Sequence, residues 1–222
     1  MDKKEIILFG CGQMAEIAHV YIEHDSPFTV VAFCVDKDRI SSSSFRGLPL
    51  VAFEEVGGIY PPDRYEMFIP MSAKDLNTQR ESKYYAAKTM GYSLVSYVSP
   101  NAMIGPQTLI GDNCFIFEGN VIQPFASIGN NTILWSGNHI GHHSSIGAHC
   151  FLASHVVISG RVNVGNNCYF GVNSTVRDGI NIASKCTIGA GALIMRDTDE
   201  LQVYMGLPGK RVPQKSDEVD II

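Results

Sequence analysis

The dominant pattern in the chain is an aliphatic or aromatic residue at every sixth position from Ile104 to Ile194, repeated sixteen times without an insertion. Neither the period of a helix nor that of an ordinary strand produces this spacing. A solenoid of short strands joined by tight corners does, because one strand and its corner together occupy six residues. Glycine often follows the apolar position, as at Gly141 and Gly147, which is typical of a tight corner.

The first 98 residues follow a different pattern, in which short apolar runs alternate with helical stretches. Apolar runs at 6–9, 28–35 and 65–69 and a last strand at 93–98 are interleaved with helices near 14–23 and 76–90. Strands that alternate with helices predict a small Rossmann-like parallel sheet. We therefore predict an N-terminal domain at 1–98, a repeat domain at 99–196 and a polar tail at 197–222, partly loosely ordered.

The repeat resembles that of the hexapeptide-repeat proteins, which fold as a left-handed parallel β-helix with three hexads in each triangular coil. Together with the alternating strands and helices of the first 98 residues, this resemblance implies a fold class of α/β plus all-β, with about five coils in the second domain. Residues 18 apart would then stack on successive coils, roughly 4.8 Å from each other, the spacing of neighbouring strands. The residue numbers thus predict which side chains lie next to each other.

Composition narrows the function further. Lys and Arg total 17 against 22 Asp and Glu, a net charge of −5, and no basic face for nucleic acid is indicated. No apolar run is long enough to insert into a membrane.

No secretory segment precedes the cysteines, which predicts reduced thiols and a cytoplasmic location. One predicted column contains only small inward residues, which we interpret as packing because no CxxC pair indicates a metal site. Its cysteines are Cys114, Cys150, Cys168 and Cys186.

A strand, the turn Gly10-x-Gly12-x-x-Ala15 and a helix form the pattern of a nucleotide-binding cradle. The glycines allow a tight turn and close backbone approach, and the first N–H groups of the helix that follows can bind phosphate. Asp36 ends the next strand, where a carboxylate can accept hydrogen bonds from a ribose or base. The alternative is a tight turn without a ligand. Because the domain is short, we expect a nucleotide with a small attachment, such as a nucleotide-activated sugar.

Five of the seven histidines lie between residues 139 and 155. The columns predict that His139 packs and that His149 lies at a solvated corner. His155 stacks between Gly137 and Asn173, so it is either a site residue or an interface residue.

His142 and His143 follow a corner glycine and are predicted to point away from the prism. One coil further along, Gly160 would leave an open space and an exposed N–H beside His142. General acid–base catalysis next to an oxyanion donor needs that arrangement. The columns alone leave His155 as a second candidate.

Together, the Gly10-x-Gly12 turn, the uninterrupted repeat and the position of His142 resemble the bacterial nucleotide-sugar acetyltransferases. This family includes sialic acid O-acetyltransferases and N-acetyltransferases of nucleotide-linked 4-amino-4,6-dideoxyhexoses, enzymes of surface glycan biosynthesis. The resemblance implies that the N-terminal domain binds the nucleotide-sugar. It also implies that acetyl-CoA lies along the β-helix, at the junction of two subunits of a homotrimer.

The resemblance also implies the roles of particular residues. The catalytic histidine of the family aligns with His142, which ranks it above His155, and the oxyanion N–H aligns with Gly160. The substrate-binding positions are Gly10, Gly12, Gln13 and Asp36, and no metal is implied. The implied coenzyme-binding positions are Gly171, Gly189, Ala190, Pro208 and Lys210.

The sequence departs from the family at two positions. The residue after the catalytic histidine is commonly acidic and orients the imidazole, whereas here it is His143. Phe151 occupies a position where some members have a coenzyme-contacting histidine. His143 therefore either relays a proton or leaves the orienting role to another group.

Other functions are compatible with the pattern. A zinc carbonic-anhydrase-like β-helix would use the histidine-rich stretch, although its ligand spacing is absent and a nucleotide domain would serve no purpose there. A non-catalytic scaffold could bind a nucleotide-sugar without turnover. Within the acetyltransferases, the sequence leaves open an amine or a hydroxyl acceptor, the acyl chain, and the UDP, dTDP or GDP form of the sugar.

Overall fold

The fold is that of a computed structural model, which describes residues 3–209 and residue 213. The N-terminal elements are β1 (Lys4–Phe9), α1 (Gln13–Asp25), β2 (Phe28–Val35), a 3₁₀ helix (Lys37–Arg39), β3 (Ser44–Phe45), β4 (Leu48–Ala52), α2 (Val56–Ile59), β5 (Glu66–Phe68) and α3 (Thr78–Thr89). The strands form one sheet in the order β3-β4-β2-β1-β5. All neighbours are parallel except β3 and β4. The predicted Rossmann-like sheet is confirmed, with an antiparallel hairpin at one edge.

The central strand β1 is apolar on both sides because both faces of the sheet are covered. Ile6 and Leu8 pack with α1, on the side that faces the repeat domain. Ile7 packs on the opposite side, with Ala87 of α3. An apolar run without alternation is typical of such a strand.

The second domain is built from strands of two residues. They are β6 (Tyr97–Val98), β7 (Met103–Ile104), β8 (Leu109–Ile110), β9 (Phe115–Ile116), β10 (Val121–Ile122), β11 (Ser127–Ile128), β12 (Ile133–Leu134), β13 (His139–Ile140), β14 (Ser145–Ile146), β15 (Phe151–Leu152), β16 (Val157–Ile158), β17 (Asn163–Val164), β18 (Tyr169–Phe170), β19 (Thr175–Val176), β20 (Asn181–Ile182), β21 (Thr187–Ile188), β22 (Leu193–Ile194) and β23 (Val203–Tyr204). Each pairs in parallel with the strand one coil away, as His139–Ile140 pairs with Val157–Ile158. The predicted β-helix is confirmed.

The segment predicted as the last strand of the N-terminal sheet is divided between the two domains. Leu94 forms only an isolated bridge to Met67 of the sheet. Tyr97–Val98 instead pairs with Phe115–Ile116 of the β-helix. The β-helix thus begins just before the predicted boundary, because the chain continues directly from the sheet edge into the first coil.

The prism has three faces with different surroundings. The covered face (β6, β9, β12, β15, β18, β21 and β23) packs against the N-terminal domain, and Phe115 and Ile133 on it are buried. The polar face (β8, β11, β14, β17 and β20) presents a hydrogen-bonded ladder in which the Ser145 hydroxyl donates to Asn163. The apolar face (β7, β10, β13, β16, β19 and β22) includes Met103 and Leu193, which are 69% and 61% exposed.

The glycines that follow the apolar positions were predicted because a tight corner favours glycine. This reason is wrong, because those glycines do not have positive φ. The left-handed residue is the third after each apolar position from Ile104 to Ile188, for example His143 (φ 58°) and His149 (φ 60°). Glycine is needed instead because neighbouring coils touch: a Cβ on Gly141 would lie 2.5 Å from the backbone nitrogen of Gly160.

His149 is buried, so the predicted solvated corner is wrong at this position. Helix α3 covers it, and the side-chain amide of Asn131 donates to its Nδ1 at 2.8 Å, the acceptor atom of the neutral ring. Desolvation lowers the pKa of His149, although the nearby Glu81 opposes this shift. The periodicity could not predict this burial because α3 lies outside the repeat.

The fully buried Arg80 joins the two domains. Burial lowers the pKa of its guanidinium to about 10. Its five hydrogen bonds, all to backbone carbonyl oxygens, reach Met71 and Ser72 in the N-terminal domain and Asn131, His149 and Cys150 in the β-helix. Five donors in a rigid fork can satisfy carbonyl groups of both domains at once, which fixes their relative position locally.

The interior of the β-helix is apolar. The cysteine column is fully buried in its core, as the packing interpretation predicts. Part of the predicted tail extends the covered face, because Val203–Tyr204 pairs with Thr187–Ile188. Within the described residues, no helix has the length and apolar character needed to cross a bilayer.

Candidate active site

His142 lies on the corner that leads from the apolar face to the polar face, here called the His142 corner (residues 123–125, 141–143, 159–161 and 177–179). Its side chain is exposed, and its backbone N–H donates to the side-chain oxygen of Gln123 at 2.9 Å. A Cβ on Gly160 would lie 2.8 Å from both Cε1 and Nε2 of the imidazole. The predicted stacking of His142 on Gly160 is therefore present.

The N–H of Gly160 has no hydrogen-bond acceptor within residues 3–209, although the Gly160 carbonyl accepts the N–H of Gly179 at 2.9 Å. The equivalent N–H of Ala148, at the corner that includes His149, donates to the side chain of Asn166 one coil further on. Gly160 thus combines a free donor with the absence of a side chain, directly beside an imidazole. A developing oxyanion needs such a donor.

His143 is held against its neighbours. Its ring stacks on Phe125 with a centroid distance of 4.7 Å, and its backbone N–H donates to the carbonyl oxygen of Pro124 at 3.3 Å. Its Nδ1 lies 3.2 Å from Nδ1 of His142. The two imidazoles form one hydrogen-bonded pair.

Two charged residues at this corner were not predicted from the sequence. Asp178 lies one coil beyond Gly160, and its Oδ1 would be 2.9 Å from a Cβ on Gly160. Arg161 pairs with Asp178 at 2.5 Å. The 18-residue spacing contained the signal, since Asp178 continues the column of His142 and Arg161 that of His143.

Three of the predicted coenzyme residues, Gly171, Gly189 and Ala190, lie on a different corner, between the covered and apolar faces. Gly171 and Gly189 are buried there and Ala190 is exposed. A Cβ on Gly171 would lie 2.5 Å from the nitrogen of Ala190, whereas one on Gly189 would meet Met205. The apolar face separates this corner from His142, so within residues 3–209 one chain does not bring Gly171, Gly189 and Ala190 close to His142.

Two further residues, Pro208 and Lys210, were also predicted to bind the coenzyme. Pro208 is exposed, and Lys210 lies outside the described residues. His155 belongs to the same corner as Gly171, where a Cβ on Gly137 would lie 2.6 Å from its ring.

The glycine turn opens into a cavity of about 730 Å³ at the carboxyl end of β1. β1 lies between β2 and β5, where the strand order reverses, and ligands of open α/β sheets bind at such points. Position 10 requires glycine because its φ of 114° is rarely adopted by residues with a side chain. A Cβ on Gly12 would meet nothing within 4 Å. The predicted Gly10, Gly12, Gln13 and Asp36 all line this cavity.

Lys83 of α3 is an unpredicted part of the cavity. It forms an ion pair with Asp36, and its ammonium lies 5.1 Å from the centroid of the Phe53 ring. Arg39 and Lys74 also line the cavity. No local sequence signal connects Lys83 with Asp36, because packing of α3 on the sheet brings them together. Three cations and the start of α1 favour an anionic ligand.

Comparisons with known proteins agree with the repeat. Residues 125–160 match the model of the bacterial transferase hexapeptide (six repeats), and residues 161–196 match the hexapeptide repeat of succinyl-transferase. Among curated proteins, no sequence matches the chain significantly.

Solved structures match nearly the whole chain. The acetyltransferase domain of PglB from Neisseria gonorrhoeae has a TM-score of 0.81 at 18% identity, covering 95% of this chain and 100% of that one. A mutant of perosamine N-acetyltransferase from Caulobacter crescentus, in complex with CoA and GDP-perosamine, has a TM-score of 0.82 at 23% identity, covering 93% and 95%. WeeI from Acinetobacter baumannii has a TM-score of 0.65 at 14% identity, covering 87% and 96%.

These matches confirm the predicted resemblance and support the predicted acyltransferase class. The chain therefore contains a hexapeptide repeat at 125–196 and shares its two-domain fold with the PglB acetyltransferase domain and perosamine N-acetyltransferase.

Proposed function

We propose that the protein transfers the acetyl group of acetyl-CoA to the amine of a nucleotide-linked amino sugar, such as a 4-amino-4,6-dideoxyhexose. The observation that carries the proposal is that His142 stacks on Gly160, whose N–H has no acceptor within the described part of the chain. The cavity beside the Gly10 turn supports a nucleotide-bearing acceptor. Two structural neighbours add support, since one was solved with acetyl-CoA and another with CoA and GDP-perosamine.

The proposed reaction is a direct attack. The acceptor amine attacks the thioester carbon, neutral His142 takes its proton as the C–N bond forms, and the Gly160 N–H faces the oxyanion. Collapse breaks the C–S bond, and the proton passes from His142 to the coenzyme A sulfur. Ser144 and Cys150 are buried at inward packing positions, so neither is available as a covalent nucleophile.

The test is release of coenzyme A with UDP-, dTDP- and GDP-linked 4-amino sugars as acceptors. We expect release only when acetyl-CoA and one of these acceptors are both present. Release that follows a hydroxyl acceptor instead would identify an O-acetyltransferase. Release without an acceptor, as a burst, would indicate an acyl-enzyme. Metal analysis of the same sample tests the carbonic anhydrase alternative, which requires bound zinc.

The division of labour between the domains gives a prediction for Gly12. In Gly12→Leu, the new side chain extends into open space in the cavity and therefore competes with the nucleotide. We expect the KM for the nucleotide-sugar to rise about tenfold or more, which is about 1.4 kcal/mol of lost binding. The KM for acetyl-CoA should stay unchanged.

The matched control for this substitution is Gly57→Leu. A Cβ on Gly57 also meets nothing within 4 Å, but Gly57 does not line the cavity. Steady-state kinetics with each substrate varied in turn measures both constants. An equal rise of the two KM values in Gly12→Leu would contradict the assignment of this cavity to the nucleotide.

We further propose that the protein is a homotrimer whose sites lie between subunits. Two observations support this. Met103 and Leu193 on the apolar face are exposed, and this face separates His142 from Gly171, Gly189 and Ala190 of the same chain. A second copy on this face would bring the His142 corner of one chain next to the corner of its neighbour that contains Gly171, Gly189 and Ala190. Exposed apolar patches often mark such contacts.

The substitution Val157→Glu tests this arrangement because it places a charge at the centre of the apolar face. We expect light scattering to find a trimer for the native chain and smaller species for the variant, with a parallel loss of activity. The control is Asn163→Glu, which places the same charge on the polar face and should leave a trimer. A fully active native monomer would rule out shared sites.

A further inference from the structure

The two imidazoles at the His142 corner meet through the same kind of atom. Nδ1 of His142 lies 3.2 Å from Nδ1 of His143, and the rings are nearly perpendicular, with centroids 5.4 Å apart. The other nitrogen of His142, Nε2, faces the position of Gly160. The pair therefore has one contact between its members and one nitrogen directed towards the proposed reaction centre.

This contact restricts the tautomers of both rings. A neutral imidazole has one N–H and one acceptor nitrogen. For two Nδ1 atoms to share a hydrogen bond, one must carry the hydrogen and the other must accept it. His142 can act as a base through Nε2 only when its own hydrogen is on Nδ1. In that state His143 accepts through Nδ1 and carries its hydrogen on Nε2.

The local structure fixes His143 for this role. Its backbone has a positive φ of 58°, and its ring lies flat on Phe125 at an interplanar angle of 24°. The backbone of His142 is in turn held by the side chain of Gln123. The two rings are thus positioned independently, so that their nitrogens meet without substrate.

We propose that His143 is a positioning residue that sets the tautomer of His142, acting as a neutral hydrogen-bond acceptor and not as a proton relay. The proposal rests on the proposed function, because it gives His142 the role of base. During transfer, the proton of the acceptor amine goes to Nε2 of His142. The Nδ1–H of the resulting imidazolium stays bonded to His143 until the Nε2 proton leaves with the coenzyme A sulfur.

A pH dependence follows from the same geometry. A protonated His143 has hydrogens on both nitrogens and can no longer accept, so the Nδ1–H form of His142 loses its partner. Protonation of His142 removes the base directly. The charged groups that face the pair from the neighbouring coils are Asp178 and Arg161, which are paired with each other. The active form is therefore the pair with both rings neutral.

Two substitutions of His143 separate the acceptor from the ring. His143→Asn retains an acceptor oxygen, and asparagine tolerates the positive φ of this position. His143→Phe retains a flat ring against Phe125 but has no acceptor. We expect kcat of His143→Asn to stay within about threefold of native. We expect kcat of His143→Phe to fall about 10- to 100-fold, because this variant loses the hydrogen bond to the imidazolium of His142.

The pH profile gives a readout that a merely structural role would not change. At low pH, log kcat should fall with a limiting slope of two in the native protein, because two coupled rings must be neutral. The limiting slope should be one in His143→Asn. If His143→Asn lost as much activity as His143→Phe, a proton relay would be favoured and the proposal would be overturned. Native kcat in His143→Phe would also overturn it.

A measurement without turnover separates this proposal from the proposed function. Nitrogen-15 NMR of histidine-labelled protein should find the hydrogen of His142 on Nδ1 in the native chain and in His143→Asn. It should find the hydrogen on Nε2 in His143→Phe. This result would support the tautomer role even if no acceptor were acetylated. A native His142 with its hydrogen on Nε2 would contradict the role, whatever the activity.

Discussion

Replacing His142 with alanine should lower kcat by about 10²- to 10⁴-fold, the usual contribution of a positioned general base. The imidazole is exposed and makes no packing contact in the core, so the fold should be retained. Neither KM should change much, because the ring acts on the proton of the reacting amine and does not hold either substrate. Steady-state kinetics with both substrates varied measures this.

The control is His24→Ala, which removes an exposed imidazole in the last turn of α1 and should keep native kcat. In the native protein, the rate should also fall at acidic pH, because a protonated imidazole cannot act as the base. If His142→Ala kept near-native kcat and His155→Ala were inactive, the general base would be His155, on the corner between the covered and apolar faces.

The second large effect is expected for Gly160→Ala. The added Cβ would lie 2.8 Å from the imidazole of His142 and 2.9 Å from Oδ1 of Asp178, so both side chains must move. A shift of about 1 Å at a reacting group can cost about 100-fold in rate. We therefore expect a loss of about this size in kcat, without loss of the folded state, because flexible side chains give way more cheaply than backbone.

The matched comparison is Gly141→Ala on the coil before it. There the new Cβ would meet the backbone of Ser159 and Gly160 at 2.5 Å, so this variant should lose thermal stability as well as activity. Thermal melts of both variants, read beside their kinetics, distinguish the two causes. A Gly160→Ala enzyme with native kcat would mean that the space beside His142 does not serve the reaction.

The pairing of His142 with Gly160 could be predicted because one coil has a constant length. Two residues 18 apart must then be neighbours, as the pairing of His139–Ile140 with Val157–Ile158 illustrates. The same spacing places Asp178 in the column of His142 and Gly160. The bounds of β2 (Phe28–Val35) were predictable from one apolar run, whereas β3 and β4 were not predicted and the strand predicted at 93–98 is divided between the domains.

Other features could not be predicted because they depend on how α3 packs. The ion pair of Lys83 with Asp36 joins residues 47 positions apart, and the burial of His149 needs the same helix to lie on the β-helix. Periodicity describes a side chain's place within its own element, and does not indicate what covers it. The roles of the corner glycines were misinterpreted for a similar reason, because the contact that requires them comes from the next coil.

Acetyl transfer to a nucleotide-linked amino sugar is tested most directly by the structure of the product. The measurement is NMR of the product formed from acetyl-CoA labelled with carbon-13 in the carbonyl group, with the acceptor that gives the fastest coenzyme A release. We predict that the label appears as an amide on the amino nitrogen of the sugar, and that the nucleotide remains attached. Label on a sugar hydroxyl, in free acetate or on the protein would contradict this account.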